Sequence, residues 1–330
     1  MTLLRVEGLT KHFPVHGGLL RRQVGAVRAV DGVDFELGNG ETLGIVGESG
    51  CGKSTTGRMV AALLRPTAGH VWYRGRDITQ LSQRDLRPLR REVQIIFQDP
   101  LSSLNPRMTV GSSVAAPLRV QGVLERRAVQ KRVEELFGLV GLNPEHYDRY
   151  PHEFSGGQCQ RVGIARAIAL QPQLVVCDEP VSALDVSVQS QIVNLLIDLQ
   201  RRIGLSYVFI SHDLAVVRQV ADQVAVMYLG KVVEIAARDE LYGRPRHPYT
   251  VALLAAAPVP EAGRNRKRIV LHGDVPSAEH PPSGCRFRTR CWRADELCAS
   301  VEPTLGPEGS GHRVACHHPV EESGPGGGPE

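Results

Sequence analysis

The chain has 330 residues, 42% hydrophobic and 22% charged, with a formal net charge of +4. This length supports a large core plus an appendage, and the charge is too small over such a length to argue for nucleic acid. No window approaches the ~18–20 uninterrupted apolar residues of a membrane span, and MTLLRVEGLTKHF lacks the basic, apolar and small-residue order of a secretory leader. The expectation is a cytoplasmic protein whose membrane role comes through partners.

Taken in chain order, residues 1–46 read as short strands, LLRVEGL, AVDGVDFEL and ETLGIV, interrupted by a loop, PVHGGLLRRQVGAV. Directly behind ETLGIV comes GESGCGKST, residues 47–55, and then a helical stretch over 53–64 that ends before Arg65-Pro66. VQIIFQ reads as a short buried strand followed by the loop DPLSSLNP. From about Met108 to Leu170 the pattern is helical. LVVCDEP is an apolar strand ending in acids, SVQSQIVNLLIDLQRRIG a helix stopped by Gly204, and LSYVFISH the next strand. The helix DLAVVRQVAD and a strand pair, QVAVMYLG and KVVEIA, follow. Near-continuous apolar strands alternating with helices predict an α/β fold with a mostly parallel sheet covered on both faces. The last eight residues, SGPGGGPE, predict disorder, and the basic run RNRKR at 264–268 reads as a solvated linker.

The stretch from Gly47 to Ser54 fits G-x-x-x-x-G-K-[ST] between a strand and a helix, the context a phosphate-binding loop requires. Gly47, Gly50 and Gly52 free successive N–H groups to face phosphate oxygens, with Glu48, Ser49, Cys51 and Thr55 completing the loop. Lys53 is placed to reach the β- and γ-phosphates and the Ser54 hydroxyl to ligate magnesium. LVVCDEP supplies the complement: Asp178 to hold magnesium through water, and Glu179 to polarise the attacking water as general base. No N-K-x-D element for guanine is found, so the expected nucleotide is ATP with Mg2+.

FSGGQCQR at 154–161, taken with GESGCGKST, Gln98, LVVCDEP, SALD at 182–185 and His212, resembles the ATP-binding subunit of ABC transporters over roughly residues 3–240. The resemblance implies a P-loop NTPase core with an antiparallel β segment and a helical subdomain. It also implies roles for named positions. Phe13 looks like the aromatic that stacks on adenine, a core phenylalanine being the alternative. Gln98 looks like the lid-loop glutamine that contacts magnesium and the attacking water, and His212 like the histidine that contacts the γ-phosphate. Ser155, Gly156, Gly157 and Gln158 look like the signature that clamps the ATP of an opposite subunit, and Asp185 like the dimer-crossing loop. Because Ser155-Gly156-Gly157 precedes a helix, its N–H groups form a second anion cradle, and the family pairs one subunit's loop with another's signature. Cys159, within that helix, reads as a small apolar packer.

FQDPLSSLNPRMTVG, RHPYTVALLAAAPVP and the terminal GCRFRTRC…C…VACHHP resemble the dipeptide, oligopeptide and nickel uptake branch, and the opening KHFPV resembles the second of its two paired ATPases. The resemblance implies a heterodimer with a sister ATPase on the cytoplasmic face of the membrane, two permeases and an extracytoplasmic binding protein. It implies a nucleotide-binding domain over 1–248, with a helical subdomain at about 99–165, and a small irregular extension over 249–322. Peptide import is the expected work; nickel import, or a soluble ABC ATPase not tied to transport, are the alternatives. The soluble class usually carries two cassettes or a long coiled coil, and neither is seen here. Cys285, Cys291, Cys298 and Cys316 follow the spacing C-x5-C-x6-C-x17-C. By count four thiolates suit an iron–sulfur cluster or tetrahedral zinc equally. The absence of tight C-x2–4-C pairs favours the cluster, and the resemblance points to [4Fe-4S].

Overall fold

The computed structural model describes residues 2–17, 22–122, 125–256, 271, 273–306 and 311–320. The expected disordered tail and the basic run at 264–268 lie outside the described residues. In chain order the elements are β1 (Thr2–Gly17), β2 (Arg22–Gly38), β3 (Thr42–Val46), α1 (Lys53–Val60), β4 (Ala68–Tyr73), β5 (Arg76–Asp77), α2 (Leu86–Glu92) and β6 (Val93–Ile96). The helices α3 (Val110–Gln121), α4 (Arg126–Leu139) and α5 (Gly156–Ile168) follow. Next come β7 (Leu174–Asp178), α6 (Val186–Ile203), β8 (Ser206–Ile210), α7 (Leu214–Val220), β9 (Gln223–Tyr228) and β10 (Lys231–Ala237). The chain then forms α8 (Arg238–Gly243), α9 (Pro248–Ala256), α10 (Glu296–Ser300) and β11 (His312–Val314).

These strands make two sheets. A seven-stranded sheet has the order β11-β10-β9-β3-β8-β7-β6, parallel from β9 to β6 and antiparallel at β10 and β11. A second, antiparallel sheet of four strands, β2-β1-β4-β5, shares a core with one face of it. Every residue of β3, β7 and β8 is buried, as strands covered on both faces require. Their side chains alternate between two cores: Leu174, Val176, Val208 and Ile210 join α1 and the antiparallel sheet, whereas Val175, Cys177, Tyr207 and Phe209 join α3 to α6. Gly204 ends α6 with φ 70°, the left-handed cap expected of glycine.

One expectation is corrected. The stretch read as the loop PVHGGLLRRQVGAV is largely strand: β1 and β2 continue as a long antiparallel ladder, pairing Phe13 with Val27 and Val15 with Gly25. None of the described residues in this part of the hairpin is buried, and Val24 is 67% exposed, so it has no buried face to impose the alternation by which strands are read.

The C-terminal segment is built onto the same scaffold. β11 adds an antiparallel strand to β10, pairing Glu234 with Val314 and Ala236 with His312. Glu234, fully buried on β10, accepts hydrogen bonds from the Arg246 and His247 backbone N–H groups (2.6 and 2.9 Å), and its Oε1 lies 2.7 Å from His312 Nε2. Phe287 packs edge-on against Tyr228 at 5.2 Å between ring centroids and at a tilt against Tyr249 at 5.4 Å. Buried polar satisfaction and aromatic packing together seat this segment.

Candidate functional site

The phosphate loop follows β3 and turns into α1, which begins at Lys53 with no side-chain cap. Its first N–H groups are therefore open to an anion. Two glycines are demanded by close approach as well as by φ. A Cβ on Gly47 (φ 152°) would lie 2.2 Å from the Met227 carbonyl oxygen, and one on Gly52 (φ 104°) 2.1 Å from that of Ala29. Ser49 and Gly50 stand exposed at the tip, while Cys51 is buried and its thiol pushed up by that burial. The Lys53 ammonium donates to the carbonyls of Gly47 (2.7 Å) and Glu48 (2.9 Å), spanning the loop from inside.

The remaining chemistry comes from the ends of neighbouring parallel strands, where open α/β sheets place their ligands. At the end of β7, Asp178 accepts a 2.6 Å hydrogen bond from Ser54 Oγ. Burial pushes the Asp178 carboxyl up, against the lowering effects of the Ser54 hydroxyl and the Arg58 guanidinium 3.9 Å away. A buried carboxylate beside a hydroxyl is a donor pair that a cation would complete, so the residues fit Mg2+. Glu179 is held with φ 48°, a left-handed conformation rare for a non-glycine residue and typical of functional positions. Its N–H donates to the Ile210 carbonyl (3.0 Å), and Glu179 Oε2 accepts from Gln98 Nε2 (3.1 Å) with His212 Nδ1 3.3 Å away. Three strand ends, after β6, β7 and β8, thus converge on one carboxylate oxygen.

The other candidate residues form separate groups. Ser155 caps α5: its Oγ accepts from the Gln158 N–H, and the Gln158 side chain accepts in return from the Ser155 N–H. A Cβ on Gly157 would meet Val188 at 2.5 Å, so the signature lies against the start of α6, where Asp185 occupies the N-cap position without a side-chain cap bond. Thr55 lies in the first turn of α1. Phe13 sits on the β1–β2 hairpin, 39% exposed, with the Lys11 ammonium 5.3 Å from its ring centroid; it is not a core phenylalanine. Cys159 is fully buried.

Cys285, Cys291, Cys298 and Cys316 line one small cavity together with His317 and His318. Burial raises all four thiols, Cys291 to about 11 and Cys316 to about 12, and the neighbouring thiols add to the rise for Cys285, Cys291 and Cys316. Among the described residues, the set of three or more His, Cys, Asp and Glu ligand atoms found within 4.8 Å of one another is Asp295, Cys298 and His318. Sequence reasoning missed Tyr249 and Arg290, which both reach the phosphate loop at Glu48. No local pattern could have found Arg290, which lies 242 residues from its partner.

A model of the ABC transporter family matches residues 30–182, and one of the oligopeptide/dipeptide transporter C-terminal region matches residues 233–298. The chain is 51% identical to the oligopeptide transport ATP-binding protein AppF of Bacillus subtilis, over 96% of this chain and 97% of that one. It is 52% identical to the oligopeptide transport ATP-binding protein OppF of Salmonella typhimurium, over 95% of each chain. Among solved structures, the ATP-binding cassette MJ0796, a dimer bound to ADP and Pi, superposes with a TM-score of 0.63 at 28% identity, over 72% of this chain and 99% of that one. No helix among the described residues is long and apolar enough to cross a membrane. With the phosphate loop, the strand-end carboxylates and these likenesses in agreement, the chain belongs to the ABC transporter family, among the ATP-binding proteins of its oligopeptide branch.

Proposed function

We propose that the chain is the ATP-hydrolysing subunit of a peptide importer, working as a heterodimer with a sister ATPase against two permeases fed by an extracytoplasmic binding protein. The observation that carries the catalytic part is the convergence of Gln98 and His212 on Glu179, beside the Ser54–Asp178 pair. In this reading the loop N–H groups and Lys53 hold the triphosphate. Ser54 and Asp178 would hold Mg2+, which would offset charge on the β- and γ-phosphates. Glu179 takes the proton of a water whose oxygen bonds to the γ-phosphorus as the bond to the β-phosphate oxygen breaks, leaving ADP. Gln98 and His212 orient that carboxylate and meet the γ-phosphate. Phe13 stacks on adenine, its exposure leaving the ring face accessible.

Ser155, Gly156, Gly157 and Asp185 belong to the partner's site in this reading. Two anion cradles on one chain, only one of them joined to Lys53, favour a head-to-tail pair. The cassette then corresponds to residues 1–248, with its helical region at 99–165 facing the permeases, and the extension to 249–322. The cysteine cavity is read as a [4Fe-4S] site with a stapling role. Spacing favours it over zinc, because C-x5-C-x6-C-x17-C lacks the tight C-x2–4-C pairs of structural zinc sites. Anaerobically purified protein should absorb near ~400 nm; colourless protein carrying zinc would reverse the choice.

Reconstitution tests the transport reading. The chain, its sister ATPase and the permeases in proteoliposomes should accumulate an oligopeptide supplied with its binding protein, only with ATP inside the coupled compartment. ATP turnover indifferent to every peptide-loaded binding protein, or stimulated by nickel alone, would overturn the peptide assignment. Ser155→Arg in this chain should abolish the contribution of the sister's loop; an unaffected complex would sink the shared-site arrangement.

A further inference from the structure

The phosphate loop contains one acidic side chain, Glu48, in the position after Gly47. A free carboxylate there opposes a triphosphate by simple charge repulsion. It is not free. Arg290 holds it through two N–H···O bonds, Nη1 to Oε2 at 2.8 Å and Nη2 to Oε1 at 3.1 Å, the paired fork geometry that gives guanidinium–carboxylate contacts their strength. The Arg290 side chain is 8% exposed and lies over the Tyr228 ring, 6.0 Å from its centroid. The Glu48 N–H donates to the Tyr249 hydroxyl at 2.9 Å, and the Glu48 carbonyl accepts from Lys53. All three handles of this residue are therefore occupied, two of them by the C-terminal segment.

That segment is itself well fastened. Arg290 closes a turn onto the Phe287 carbonyl (3.0 Å), and Phe287 is wedged between Tyr228 and Tyr249. Arg286, buried, donates to the Leu229 carbonyl and to Asp31. The next residue after Arg290 is Cys291, one of the four that line the thiol cavity.

We infer that Arg290 is a positioning residue for nucleotide binding. It neutralises Glu48 and, with Tyr249, holds the first turn of the phosphate loop so that a triphosphate meets oriented N–H groups rather than a loose carboxylate. The C-terminal extension thereby helps set the ATP affinity of the cassette. This rests on reading residues 47–55 as the ATP site.

Titration of the full chain with a fluorescent ATP analogue and Mg2+, together with steady-state turnover, tests the inference. Arg290→Ala should weaken binding by about tenfold, with KM rising in step and kcat at saturating ATP nearly unchanged. Arg290→Lys, which keeps the charge but loses the fork, should recover part of the loss. Adding Glu48→Gln to Arg290→Ala should recover most of it, because no uncompensated charge then faces the phosphates. A purely structural arginine would not be rescued by changing Glu48, so this double variant separates positioning from a folding defect. Binding unchanged in Arg290→Ala, or as weak in the double variant as in the single, would overturn the inference. Failure of the wild-type chain to bind the analogue at all would overturn the ATP-site reading along with it.

Discussion

The cassette site and the C-terminal extension meet at Glu48 but are held in place by different physics. Around the phosphate loop the placement is by backbone. β6, β7 and β8 lie side by side in a parallel ladder, so Gln98, Glu179 and His212 arrive together because their strands end together. From residue 273 onward, the described elements are a five-residue helix and a three-residue strand. Beyond the short ladder of β11 on β10, that region is held by side chains: Arg286 on Asp31, Glu234 on His312, and Phe287 among tyrosines. A ladder distributes its hold over many weak bonds, and losing one side chain leaves it standing. A seat made of buried ion pairs fails at single residues and responds to pH.

Removing a catalytic group from the first region should therefore abolish chemistry without disturbing structure. Glu179→Gln keeps the shape and the hydrogen bonds that the carboxamide can still make, and loses the base. ATP turnover should fall by about 10²–10⁴-fold, measured by phosphate release, while ATP binding and the unfolding midpoint stay near wild type. Turnover within tenfold of wild type would remove Glu179 from the role of base and weaken the contrast at its centre.

How legible each region is in the sequence follows the same division. The phosphate loop and the strand carrying Asp178 and Glu179 are contiguous stretches, and burial on both faces makes β7 and β8 uninterrupted apolar runs, so chemistry and scaffold can be read together. The outer part of the β1–β2 hairpin was hidden because its side chains are exposed and carry no period. The meeting of Gln98 with Glu179 was legible only by likeness to a family, since 81 residues separate them. Arg290 and Tyr249 were not legible at all. An arginine among other arginines and a tyrosine in an apolar helix look ordinary until the fold brings both to Glu48.

Within the extension, the next largest effect should come from Arg286→Ala. Arg286 is 7% exposed in its side chain, and its removal strips Asp31 of its guanidinium, leaving His12 3.1 Å away, and leaves the Leu229 carbonyl without that donor. Burial raises the Asp31 carboxyl, but the Arg286 hydrogen bond and charge, together with His12 and Lys231, outweigh it and hold the group below its usual value. Denaturant unfolding should show a loss of about 3 kcal/mol, at the low end for a broken buried pair because Asp31 keeps some water. Limited proteolysis should cut the extension before the cassette. Simultaneous, wild-type-like resistance of both regions would mean that the extension does not depend on this anchor.

The smallest effect is the most specific, because it asks only for a proton. His247 is 1% exposed, its Nδ1 accepting the Tyr249 N–H at 3.1 Å and its backbone N–H donating to Glu234. Burial lowers its pKa from 6.5 to about 4, against the raising effect of Glu234. The unfolded chain therefore takes up the proton first as pH falls. The stability this histidine contributes is complete above 6.5 and is lost between 6.5 and about 4. One and a half pH units at about 1.4 kcal/mol each makes the loss about 2 kcal/mol at pH 5. His247→Gln should cost stability at pH 7 but flatten the slope between pH 7 and pH 5. His247 sits at the end of the cassette and packs on Phe287 of the extension, 5.7 Å between ring centroids, so the slope should appear in the protease sensitivity of the extension while the Glu179→Gln variant keeps the same slope as wild type. An undiminished slope in His247→Gln would shift the pH response to other groups and deprive the extension of the sensitivity that distinguishes it from the cassette.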